Sequence, residues 1–152
     1  MQFVVKKFSE LTTEELFQIY KVRVAVFVVE QQCAYQEVDD LDPVALHCYF
    51  KENGEITAYL RLIPQGELAQ EVTLGRVLSV RRGQGLGRQI IQQGIELAQS
   101  RCQAHSIVLE AQCYVRALYE SLGFEAVSEE FLLDGIPHIK MRLNLQNCPK
   151  RH

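Results

Sequence analysis

Val77-Leu78-Ser79-Val80-Arg81-Arg82-Gly83-Gln84-Gly85-Leu86-Gly87-Arg88 decides the reading of the fold, because an apolar strand runs through three glycines straight into a helix. Val72 to Val80 reads as that strand. Downstream, Leu86, Ile90, Ile91, Ile95, Leu97, Ala98 and Cys102 line one broad helical face between Gly85 and Gln103. Glycines allow close backbone approach and unusual φ angles. A turn of this kind aims several backbone N–H groups and the positive end of a helix dipole at one point, which suits a phosphate or pyrophosphate. Three glycines also serve simply to make a tight turn, so the spacing has to discriminate. G-x-G-x-x-G fails in both frames, its third position falling on Arg88 or Ile90. A P-loop fails as well, since no Gly-Lys-Ser/Thr follows.

Working outward, Phe3, Val4 and Val5 open a first strand that ends by Phe8. Ser9 or Thr12, with Glu14 and Glu15, signals a helix start. Leu16, Ile19, Tyr20, Arg23, Val24 and Phe27 recur at helical spacing, although the β-branched run Val22 to Val29 weakens the helix towards Glu30. Gln31 to Pro43, with Glu37, Asp39, Asp40 and Asp42, reads as a solvated loop. Leu46 to Lys51, Asn53-Gly54 and Ile56 to Ile63 make a hairpin, and Gln65-Gly66 leads to the strand at Val72. Beyond the central helix, Ile107 to Leu109 is a short strand covered on both faces. Tyr114 to Leu122 is a helix stopped by Gly123, and Phe124 to Val127 and Ile136 to Leu145 are two last strands joined through Asp134-Gly135. The order predicts a single α/β domain over residues 1–145, one sheet with helices on its faces, followed by a frayed tail over residues 146–152.

The bulk composition narrows the function classes. With 152 residues and 47% hydrophobic side chains, the chain can bury one continuous core. A net charge of -3 with interspersed signs gives no basic stripe, so nucleic acid is not an expected partner. The N-terminus lacks a secretory pattern, and no run reaches the roughly 18 apolar residues of a membrane span. Five cysteines without a C-x-x-C pair fit reduced thiols and a cytoplasmic location. The four histidines show no metal-ligand spacing, so no metal is expected. Nothing opposes a homodimer through sheet edges or helices.

Arg82-x-x-Gly85-x-Gly87 resembles the R/Q-x-x-G-x-G/A signature of the GNAT N-acetyltransferases, and it stands, as in that family, between a strand and a helix. Leu118-Tyr119-Glu120-Ser121-Leu122-Gly123-Phe124 resembles the segment that closes the GNAT coenzyme site. Arg23 to Gln31 and Asp134 to Ile139 are similar to the first helix and last hairpin of the ElaA-like subgroup. The resemblance implies a mostly antiparallel sheet of about six to seven strands with helices on both faces. It further implies acetyl-CoA as co-substrate and a primary amine of a small molecule or peptide as acceptor, acetylated by direct attack in a ternary complex. Two alternatives stand beside it: transfer of a longer acyl chain, as in the related acyl-homoserine-lactone synthases, and a non-catalytic acyl-CoA-binding module.

Under the resemblance, backbone atoms of Leu78 and Val80, with Ser79 between them, pair with the pantetheine arm as an added strand would. Amides of Gly83, Gln84, Gly85, Leu86, Gly87 and Arg88 cradle the pyrophosphate, with Arg82 near its charge. Gln112 replaces the asparagine that commonly bonds the pantetheine. Tyr119 is the expected general acid for the departing thiolate. The family's usual glutamate before the loop is missing from Thr73-Leu74-Gly75-Arg76-Val77, so Glu30, Glu110 and His138 are the candidates for the base.

Overall fold

The computed structural model describes residues 1–145, so the expectation for the tail falls outside the described residues. The elements are β1 (Gln2–Lys7), α1 (Thr13–Val24), β2 (Leu46–Glu52), β3 (Glu55–Ile63), β4 (Val72–Ser79), α2 (Leu86–Ser100), β5 (Ser106–Gln112), α3 (Arg116–Ser121), β6 (Glu125–Ala126), β7 (Phe131–Leu133) and β8 (Ile136–Asn144). Thr12 and Glu15 start α1 with a reciprocal capping box, in which each side chain accepts the other's backbone N–H. The weakening read from Val22 to Val29 is a change of helix type: Ala25–Glu30 continues α1 as a π-helical turn. Its wider spacing shows in the Gln31 N–H to Val26 carbonyl bond of 3.3 Å.

The strands form one sheet in the order β1-β2-β3-β4-β5-β8-β6, with β7 also paired to β8. That makes eight strands rather than six to seven. The additional one, β7, is only three residues long and carries no alternation that could announce it. It is β7, not β6, that meets β8 across Asp134-Gly135. Asn53 (φ 51°) and Gly54 (φ 79°) make the β2–β3 turn as their sequence requires. All pairings are antiparallel except β4 with β5, which touch in parallel only at Val72↔Ile107 and Thr73↔Val108.

Each face of the sheet carries its own core. Ala58, Leu60 and Leu62 of β3 join Leu74, Ile90, Ile91, Ile107 and Met141 under α2. Tyr59, alternating with them, joins Ile19, Phe27, Tyr49 and Leu78 under α1. Arg61 shares that second face, and there the acidic loop departs from expectation. Glu37 and Asp42 are 2% and 1% exposed, not solvated. Arg23, itself fully buried, donates to Glu37 (2.7 Å) and to Asp42 (2.6 Å). Arg61 donates to Asp42 (3.0 Å) and Asp39 (2.7 Å). His47 lies beneath them, with Nε2 donating to the Asp42 carbonyl (2.9 Å) and Nδ1 accepting the Tyr59 hydroxyl (2.7 Å). Burial depresses its pKa and keeps the ring neutral, as that pair of bonds requires.

Arg23→Ala leaves two buried carboxylates short of a cation and is expected to cost about 3–5 kcal/mol in urea unfolding. Glu15 provides a milder test. Burial pushes its carboxyl up, but hydrogen bonds from Lys6, the Thr12 backbone and Tyr49 outweigh burial and hold it at about 2, against an ordinary 4.5. The stability it contributes is complete above pH 4.5 and is lost as pH falls towards 2. Unfolding curves of Glu15→Gln across that window are therefore expected to show a shallower pH slope than the parent.

Candidate active site

Between β4 and α2 the chain turns through Gly83 (φ 77°) and Gly85 (φ 72°), backbone angles that a residue with a Cβ reaches only with strain. Gly85 caps α2 without any side-chain hydrogen bond. The α2 ladder begins with Gln89 N–H on the Gly85 carbonyl (3.1 Å), so the amides of Leu86, Gly87 and Arg88 precede it and point out of the helix end. Gly87 has an ordinary φ, and a Cβ there would meet nothing within 4 Å. Neither packing nor backbone demands that glycine; its effect is a bare main chain facing open space at a positive helix terminus. Arg82 bends back over the turn, donating from Nε to the Ser79 carbonyl (3.2 Å) and from Nη2 to Glu30 (2.8 Å). Arg88 reaches Ser121 of α3 (2.6 Å) and ties the turn to the Tyr119 segment.

Beside this turn the sheet is open. After Thr73↔Val108, β4 and β5 part, and the flank of β4 that faces β5 has no strand to pair with among the described residues. The expectation for the backbone partners needs correction here. Val80 N–H donates to the Thr57 carbonyl of β3 (3.0 Å), so its amide is spent on the sheet. Because an antiparallel strand alternates the direction of its polar groups, Leu78 faces β3 as well, and it is Ser79 whose main chain faces the gap. Arg76 forms a bulge in β4 with φ 53°, opposite the register break between Tyr59 and Arg61.

The chain after α1 straps this opening at four points. Glu30 holds Arg82. Gln31 and Gln112 exchange amide hydrogen bonds, Gln112 Nε2 donating at 3.1 Å and Gln31 Nε2 at 3.4 Å. Cys33 Sγ lies 3.6 Å from the Asp134 carbonyl of the β7–β8 turn, and the Tyr35 ring lies over the Arg76 guanidinium at 5.4 Å. Gln31 and Tyr35 are not legible in the sequence as site residues, and Arg76 is legible there only as a structural or substrate-orienting cation that stays protonated. Their partners lie up to 81 residues away, and no local pattern encodes such pairs.

The candidate acid and bases separate by environment. Tyr119 is 6% exposed, edge-on to Phe124 at 5.6 Å; burial pushes its pKa up, so the phenol keeps its proton at neutral pH. Glu30 is exposed but committed to Arg82. Glu110 projects from β5 into solvent and, among the described residues, forms no ion pair. His138, opposite Gln112 in register, donates from Nδ1 to the Ile136 carbonyl (2.7 Å) and stacks on Phe131. A carbonyl only accepts, so Nδ1 carries the proton of that bond, and Nε2 makes no hydrogen bond among the described residues. Among the described residues, no three His, Cys, Asp or Glu side chains gather as a metal site, the cysteines are free, and no helix is long and apolar enough to cross a membrane.

A wedge in a mixed sheet beside an uncapped, glycine-lined helix start is the architecture of a coenzyme-dependent acyltransferase, and comparison with known proteins agrees. The family model described as "Acetyltransferase (GNAT) domain" matches residues 9–145. A UPF0039 protein of Schizosaccharomyces pombe is 43% identical over 149 residues, covering 95% of this chain and 98% of that protein. Protein ElaA of Escherichia coli is 36% identical over 137 residues, 88% of this chain and 90% of its own. The crystal structure of an acyl-CoA N-acyltransferase from Pseudomonas aeruginosa superposes with a TM-score of 0.88 at 38% identity, over 94% of this chain and 99% of that one. At 14% identity and a TM-score of 0.77, the acyl-homoserine lactone synthase BjaI shares the fold alone. The chain belongs to the GNAT family of acetyltransferases, in its ElaA-like branch, and is an acyltransferase with an acyl-CoA co-substrate.

Gly87→Val places a side chain in the open space above the turn, where its Cβ meets no atom of another segment within 4 Å. Its unfolding midpoint is expected to stay close to that of the parent. Its affinity for coenzyme A, measured by calorimetry, is expected to fall about tenfold or more as charge-assisted amide contacts are lost.

Proposed function

We propose that the protein transfers the acetyl group of acetyl-CoA to a primary amine of a small molecule or peptide, by direct attack within a ternary complex. The observation that carries this reading is the parting of β4 and β5 immediately beside the uncapped N-terminus of α2. Ser79 offers main-chain groups to an amide-bearing arm lying in the gap, and the amides from Gly83 to Arg88 receive the pyrophosphate. Arg82 adds a cation by exchanging Glu30 for phosphate oxygens. Gln112 keeps one N–H and one lone pair beyond those it shares with Gln31, enough to bond the arm from the other bank.

For the chemistry, Glu110 or the Nε2 of His138 takes the proton of the arriving ammonium, directly or through water. The amine nitrogen then forms its bond to the thioester carbonyl carbon as the carbon–sulfur bond breaks. Tyr119 supplies its hydroxyl proton to the departing sulfur, burial keeping that proton in place at neutral pH, and the second proton shed by the nitrogen as the amide forms returns to the phenolate through water. No cysteine is needed as a nucleophile. Cys113 follows β5 as part of the packing around the α2 core.

Release of free coenzyme A in the presence of a panel of primary amines tests the reading. Tyr119→Phe is expected to lower kcat by about 10²–10⁴ while coenzyme A binding by calorimetry stays unchanged. Wild-type protein that binds coenzyme A yet acetylates no amine would instead mark a binding module.

A further inference from the structure

The bulge on β4 presents an arginine whose conformation is already determined. The Tyr35 ring covers one face of the Arg76 guanidinium. Nη2 donates to the Glu37 carbonyl (2.9 Å) and to Asp39 Oδ2 (3.3 Å), and Nε stands 3.2 Å from Glu37 Oε1. Nη1 has no partner among the described residues, and it is absent from the buried polar atoms that lack one, so it faces solvent. The side chain is 20% exposed. Nor is its charge privately cancelled, because Glu37 also serves Arg23 and Asp39 also serves Arg61. A guanidinium held still with one N–H edge free is preorganised for a carboxylate, since the entropy of ordering it has been spent on the fold.

Across the gap stands the opposite charge. Leu109 and Ala111 of β5 and Val77 of β4 pack into the α2 core. Glu110, between Leu109 and Ala111, therefore rises on the other face of the sheet, and Arg76, at the bulge beside Val77, reaches that same face through its contacts with Tyr35 and Glu37, so that one stands on each bank of the opening. The loop after α1, which makes those contacts, covers that face. Lys140 is directly opposite Glu110 on β8 but forms no ion pair with it, and its charge bears on Glu71.

We infer that the acceptor is a zwitterion, an amino compound with a free carboxylate a few atoms from the amine, as in an α-amino acid, whose carboxylate is taken by the free edge of Arg76 while its ammonium faces Glu110. This rests on the acyl-transfer reading and narrows its acceptor. A cation and an anion on the two banks orient such a molecule with its nitrogen over the gap. They discriminate against plain polyamines and against amidated termini, which leave Arg76 without a partner.

The test compares, with wild-type protein, free amino acids with their amides and their decarboxylated amines. The expected result is a kcat/KM at least about tenfold higher for the free acid. A second readout needs no turnover: calorimetric titration of N-acetyl-alanine and of N-acetyl-alaninamide into protein saturated with coenzyme A, in which the acid is expected to bind and the amide not. Arg76→Lys keeps the charge but loses the planar fork, and is expected to shrink both differences. Equal rates for acid and amide would overturn the inference while leaving amine acetylation standing. If no amine is acetylated, the titration decides: binding of the acid alone supports the zwitterion site, and equal or absent binding of both overturns it. Absence of coenzyme A binding is the separate result that defeats the acyl-transfer reading.

Discussion

The buried meeting of Arg23 with Glu37 and Asp42 holds this molecule in its working shape. Glu37 and Asp42 come from a segment with almost no regular secondary structure, and such a segment lies against a sheet only if something replaces the missing ladder. Three guanidinium groups, from α1, β3 and β4, supply the replacement. Removing these charges from water is costly, and only the density of bonds among them offsets the cost. The arrangement is therefore intolerant of partial loss. It also places Tyr35, Gln31 and Cys33 where they border the opening between β4 and β5.

Around that opening, main-chain geometry and side-chain chemistry divide the work. The helix start at Gly85 and the flank of Ser79 depend on backbone direction, and any sequence able to adopt the turn and the strand can reproduce them. Glu110, His138, Gln112 and Arg76, in contrast, are side chains on the far side of the sheet from α2. Under the proposed reading, the coenzyme side of the site depends on backbone shape and the acceptor side on side-chain identity.

Much of this was legible in the sequence, and the reasons for the failures are specific. The glycine turn, the Asn53-Gly54 hairpin and the α2 face are local patterns of period, turn chemistry and helix start, and each appears where its residues indicate. The burial of the acidic loop is not legible, because a run of carboxylates looks solvated until its arginines are found, and those sit 14 to 39 positions away in the chain. The roles given to Leu78 and Val80 depended on which way their amides point. A one-residue phase of the strand decides that, and composition does not reveal it. The strand β7 is illegible because three residues carry no period. Arg76 was visible as a cation, but its left-handed backbone and its stacking on Tyr35 follow from a bulge that no neighbouring residue announces.

The two rungs joining β4 to β5 leave the sheet nearly cut in two. One part, β1 to β4, and the other, β5 with its partners, adhere mainly through the apolar layer beneath α2. An extended molecule lying in the cut would add rungs to both banks and restore a continuous sheet. Substrate uptake would then be the last stage of assembly, and the protein's resistance to unfolding would rise with the supply of acyl donor.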